Sequence, residues 1–206
     1  MSVAVDKSKS RREPGSTTYF SSSKIEKVFD RGAVKYMLAV GLDEHGNVNT
    51  ISVKVREYPI YPYLNSVDHE LRIERQGGLA VEYATCSDSW GSPGCNVIRV
   101  KFKRFREAAE KTGVFNPRRY EEIKTFGDFI DAVGNIARFV VELVKNSIEL
   151  EYAKRHAGKL KSYIILEDLG DLLNGVENTV YMLGDPLLYE DLSEEISKLK
   201  TLLRVA

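Results

Sequence analysis

Glutamine and tryptophan each occur once in this chain, at Gln76 and Trp90, and cysteine twice and histidine three times. Two cysteines, Cys86 and Cys95, with His45, His69 and His156 far from them in sequence, do not supply the four ligands of a structural zinc. No metal site is expected. The longest apolar runs, such as "YMLAV" and "FVVELV", are far short of the roughly 20 residues of a membrane span, so no membrane partner is expected. The glycines match neither the dinucleotide fingerprint GxGxxG nor the phosphate loop GxxxxGK[ST], and no cofactor is expected. The N-terminal "MSVAVDKSKSRREPGSTT" carries charge where a signal peptide has its apolar region, which predicts a cytoplasmic protein. Net charge is also missing, with 30 Lys and Arg against 30 Asp and Glu.

Within its 206 residues the chain is 43% hydrophobic and 29% charged, enough to bury a core. Scarce glutamine and abundant pairable charge predict a thermophilic source, although nine asparagines weaken the pattern. The charge is unevenly spread. Residues 96–124 hold nine Lys/Arg against four Asp/Glu, whereas residues 162–206 hold three against nine. Such an asymmetry steers an anionic partner to one end or lets the two ends attract each other.

Residues 1–17 are polar and basic, interrupted by Pro14 and Gly15, and read as a flexible tail. A short helix is expected next, capped by Ser22 or Ser23, with Ile25, Val28 and Phe29 on one side. "AVKYMLAVGL" and "VNTISVKVREY" flank "DEHGN" and read as a hairpin, with Ile51, Val53 and Val55 inward and Ser52, Lys54 and Arg56 outward. "EYPIYPYLNS" is a crossing loop or sheet edge, because Pro59 and Pro62 cannot donate ladder hydrogen bonds. "ELRIERQGGLAVEYATC" gives a second hairpin, turning at Gly77 and Gly78. "NVIRVKFKRFREAAEKTG" reads either as a helix from Asn96 to Gly113, with Ile98, Phe102, Phe105 and Ala109 on one stripe, or as a strand near 97–103 passing directly into a helix near 104–112, the compromise adopted. Apolar residues at helical spacing from Phe126 to Leu150 predict a helix over 126–156, central to the core. Further helices are expected near 162–183, interrupted at Gly170 and Gly175, and near 187–204. The fold class is therefore α+β: an antiparallel sheet of four or five strands packed against one long helix, followed by C-terminal helices. The expected division is a tail at 1–17, a globular domain at 18–184 and a C-terminal helix at 185–206.

Five cations stand within eight residues, Arg99, Lys101, Lys103, Arg104 and Arg106, interleaved with Phe102 and Phe105. Lys54 and Arg56 precede Tyr58, Tyr61 and Tyr63, and Trp90 lies between the cysteines. Cations that follow phosphates, beside aromatic faces on which bases stack, are the parts of a single-strand binder without sequence preference. If the sheet brings the two segments together, they form a cleft with aromatic walls and a basic rim. The alternative is that the phenylalanines are core and the cations a solvated face. Cys86 and Cys95 read as two unreactive buried thiols, with a disulfide closing their loop as the alternative. The acidic runs "LEDLGD" and "LYEDLSEEIS" read as solvated helix faces.

Leu192, Ile196, Leu199 and Leu203 recur at spacings of four, three and four, a short seam that either docks on the parent domain or helps form a homodimer, the latter being favoured. Together these features predict a non-enzymatic nucleic-acid-binding protein that prefers single strands. Its phosphate contacts are Lys54, Arg56, Arg99, Lys101, Lys103, Arg104 and Arg106, and its stacking contacts Tyr58, Tyr61, Tyr63 and Trp90. The alternative is an assembly subunit whose acidic and basic regions pair between copies. An enzyme assembled from Cys95 or His69 with distant carboxylates is the least supported reading.

Overall fold

The computed structural model describes residues 16–21, 23–59, 65–75, 77–88, 94–156 and 166–205. Period-two patterning in the first half of the chain produces seven strands: β1 (Ser16–Ser21), β2 (Lys24–Asp30), β3 (Val34–Leu42), β4 (Val48–Glu57), β5 (Val67–Glu74), β6 (Leu79–Ser87) and β7 (Gly94–Phe102). Each pairs antiparallel with the next, so the order across the sheet is the order along the chain. The β3–β4 turn is held by Asp43, whose Oδ1 accepts the backbone N–H of His45 and Asn47 at 2.9 and 2.8 Å. Gly46 there has φ of 78°, a conformation most side chains avoid.

Helices follow: α1 (Arg106–Thr112), α2 (Arg118–Glu121), α3 (Phe126–His156), α4 (Leu166–Met182) and α5 (Pro186–Val205). α3 starts on a reciprocal cap. The Asp128 N–H donates to Thr125 Oγ1 at 3.1 Å, and the Thr125 N–H donates back to Asp128 Oδ2 at 2.8 Å. α5 starts on Asp185, whose Oδ1 accepts from the Leu188 N–H, with Pro186 in the first helical position.

The helices cover one face of the sheet. Ile51, Val53 and Val55 of β4, Leu71 and Ile73 of β5 and Val81 of β6 are fully buried beneath them. Phe126 and Phe129 of α3 meet the rings of Phe29 and Tyr36 at centroid distances between 4.9 and 6.0 Å. α4 lies against β5, β6 and β7, and α5 packs outside it on α3 and α4. The Tyr36 hydroxyl donates to the Met182 carbonyl at 2.9 Å, tying β3 to the end of α4.

This is an α+β fold with an open antiparallel sheet, and it corrects several expectations. The sheet has seven strands rather than four or five, because two N-terminal strands join it. Ser16 and Thr17, expected in the tail, begin β1; residues 1–15 lie outside the described residues. The helix expected after Ser23 is strand β2. Its inward positions are Ile25, Lys27 and Phe29, and the lysine among them hides the alternation. Lys27 is 3% exposed and donates to the carbonyls of Glu121 and Ile123 at 3.3 and 2.9 Å. α4 runs through Gly170 and Gly175 without a break. The expected dimer seam is part of this chain's own core: Leu192, Ile196 and Leu199 are at most 4% exposed, and Leu203 packs against them.

Candidate nucleic-acid interface

The strand-to-helix passage expected near residue 103 is present: β7 ends at Phe102 and α1 begins at Arg106. Val100 and Phe102 point into the core, so Arg99 and Lys101 point to the uncovered face of the sheet. Lys54 and Arg56 occupy the same face, since Lys54 stands in register with Glu70, Ala84 and Val97, and Arg56 with Asp68, Cys86 and Cys95.

That face is a lattice of opposite charges. Arg56 and Lys54 both hold Asp68, at 2.5 and 2.6 Å. Hydrogen bonds from Arg56, reinforced by Lys54, pull the Asp68 carboxyl down to about 2. Arg99 bridges Glu74 at 2.6 Å and Glu82 at 3.0 Å, and Arg72 takes the other oxygen of Glu74. Ser52 donates to Glu70 at 2.7 Å. A phosphate could recruit Lys54, Arg56 or Arg99 only by displacing a carboxylate already in place.

Lys101, Arg104 and Arg106 are different. They are exposed, and none has a carboxylate within ion-pair distance among the described residues. Lys103 is exposed beside them. The register brings in a cation that the sequence pattern does not reveal. Leu79 stands opposite Phe102, so the β5–β6 turn carrying Arg75 lies next to the end of β7. The Arg75 guanidinium sits 5.3 Å from the centre of the Phe115 ring, which meets Phe105 edge-on at 6.4 Å and Phe139 at 5.5 Å. A short ladder of rings thus runs from Phe139 in the core through Phe115 to Arg75, with Phe105, flanked in sequence by the exposed Arg104 and Arg106, against Phe115.

Of the expected aromatic wall only Tyr58 falls among the described residues, and it does not join this cluster. The Arg56–Cys95 register row marks one end of the sheet, and the row through Thr50, Glu74, Ala80 and Lys101 the other. Six residues of strand separate them, on the order of 20 Å. Tyr58, 39% exposed, is at the first end, with the cations at the second. Tyr58 is therefore not beside these cations. Tyr61, Tyr63 and Trp90 lie outside the described residues.

Cys86 and Cys95 stand directly opposite each other in the β6–β7 pair and form a disulfide. This corrects the expectation of two buried thiols: Cys95 is exposed and Cys86 half-buried. It also removes Cys95 as a nucleophile. His69 Nδ1 contacts the Tyr83 hydroxyl at 2.9 Å, with no metal-holding cluster around it or elsewhere among the described residues. No helix among the described residues is long and apolar enough to cross a membrane. No family model, curated protein or solved structure matches the chain.

Proposed function

We propose that this protein binds nucleic acid, preferring single strands and reading no sequence, and that the phosphates gather where β7 runs into α1. The observation behind this reading is charge left over. Most cations on the sheet face are matched by carboxylates, whereas Lys101, Arg104 and Arg106 are exposed and unmatched among the described residues. Lys103 is exposed beside them, and Arg75, over the Phe115 ring, adds a cation at the same end of the sheet. A cytoplasmic setting belongs to this reading. A disulfide there fits a hot-growing source, as does the lattice of paired charges.

The test is fluorescence anisotropy with labelled single-stranded and duplex oligonucleotides over a salt series. The wild type should prefer single strands and weaken steeply with salt. Replacing Lys101, Arg104 and Arg106 together by alanine should cost on the order of tenfold in affinity at low salt. It should lower the slope of log K against log salt by about 2, at about 0.7 for each single-strand phosphate contact. Lys54→Ala with Arg56→Ala should change the slope far less. An unchanged slope in the triple variant would sink the proposal.

A second reading, an assembly subunit that takes no nucleic acid, draws on Tyr181 and Leu187, 68% and 79% exposed where α4 turns into α5. Light scattering separates the two: this reading requires a low-salt oligomer, and no oligonucleotide binding.

A further inference from the structure

On the helical side of the molecule, α1, α2, α3 and α5 surround a cavity of about 380 Å³. Its floor is a single stripe of α3, Asn135, Arg138, Glu142 and Lys145, at spacings of three, four and three. Lys111 of α1 and Arg119 of α2 close one side, and Glu195 of α5 the other. The lining thus holds four cations and two carboxylates.

The ion pairs show which of these charges are already spent. Lys111 is held by Glu142, and Arg138 by Asp191 at 3.1 Å on the rim. Arg119 donates from Nη1 to the Thr112 carbonyl at 2.9 Å, which caps the end of α1 and leaves most of its N–H groups unused. Neither Arg119 nor Lys145 has a carboxylate partner among the described residues. An arginine fork and a lysine lining one recess are donor types that suit a phosphate dianion. Glu195 and the Asn135 amide, which also line the recess, offer acceptors for hydroxyl groups. The volume is at the lower end of the range for small-molecule sites, which limits the ligand to a compact one.

We infer that this cavity binds a compact, hydroxyl-bearing phosphate monoester, its phosphate on Arg119 and Lys145 and its hydroxyls toward Asn135 and Glu195. The site is separate from the β7–α1 surface and stands whether or not that surface binds nucleic acid.

The experiment is a titration of the isotopically labelled chain with ribose 5-phosphate at constant ionic strength, followed by amide NMR shifts. Saturable shifts should appear at Thr112, Asn135 and Glu195, with ribose alone producing none. Arg119→Gln and Lys145→Gln should each weaken the ester by about tenfold, the worth of one charged hydrogen bond. The second variant guards against a loss of the α1 cap in the first. Arg104→Gln with Arg106→Gln should leave the ester's affinity unchanged, so that failure here is distinct from failure of the nucleic-acid reading. Absence of saturable shifts, shifts confined to residues 101–106, or full affinity in both single variants would overturn the inference. So would occupancy by a 5′-phosphorylated oligonucleotide but not by the free ester.

Discussion

Lysine at an inward position of a strand is costly unless its ammonium finds acceptors. Lys27 finds them in the carbonyls of Glu121 and Ile123, at the end of α2, so a buried cation fastens that connection to β2. Lys27→Met keeps the volume and strands those carbonyls; a loss of about 1–3 kcal/mol in urea unfolding is expected. His69 argues at the same scale. Burial lowers it below the ordinary histidine range, against the opposing pull of Glu57 and Asp68. The fold therefore favours the neutral ring. Its contribution is complete above about pH 6.5 and is lost as pH falls through the lowered value. His69→Gln should flatten that part of the stability profile, read as urea midpoints across it. Asp68 acts in a lower window. With its carboxyl held at about 2, its stabilisation is full above the ordinary aspartate value and disappears as the solution is acidified towards 2. Asp68→Asn should remove that acid limb.

The elements are joined at a few close contacts, and these make the strongest predictions. A Cβ on Gly175 of α4 would lie 2.3 Å from the Tyr83 ring of β6, so the helix approaches the sheet there closer than any side chain allows. Gly175→Ala should destabilise by about 1–3 kcal/mol through overpacking, measured by denaturant unfolding. The Cys86–Cys95 bridge closes a short loop between β6 and β7, and its removal by paired serine substitution should cost about 2–3 kcal/mol. Elements are also where the sequence was most and least legible. β4 was plain because Ile51, Val53 and Val55 alternate with polar residues. The passage from β7 to α1 was open in the sequence, because Ile98 and Phe102 fit a helical stripe as well as the period of a strand. β2 was hidden by the inward Lys27, and α4 was expected to break at Gly170 and Gly175, the second of which in fact permits close packing. Of the candidate site, the cations could be read but their partners could not. Asp68, Glu74 and Glu82 lie on other strands, and register alone decides which carboxylate faces which cation.

For the whole molecule, α5 is the element whose role the sequence left most open. Its apolar seam completes the core instead of forming a second surface. Ile196→Ala should therefore cost about 2–5 kcal/mol in stability, with a Tm that does not depend on protein concentration; a concentration-dependent Tm would point to a shared interface. The acidic C-terminal region meets a cation from outside it at Arg138 with Asp191, while Lys200 with Glu177 pairs two of its own residues. What is left over appears on the β7–α1 surface and in the recess beneath α1.

The order of the strands has a consequence for how the molecule forms. Each strand finds its partner one turn earlier in the chain, so no part of the sheet waits for distant sequence, and short loop closures are fast. The sheet can therefore be laid down progressively as the polypeptide leaves the ribosome, N-terminal strand first. The long-range step comes last, when α4 returns to strands synthesised well before it and shuts the apolar face that those strands have until then exposed.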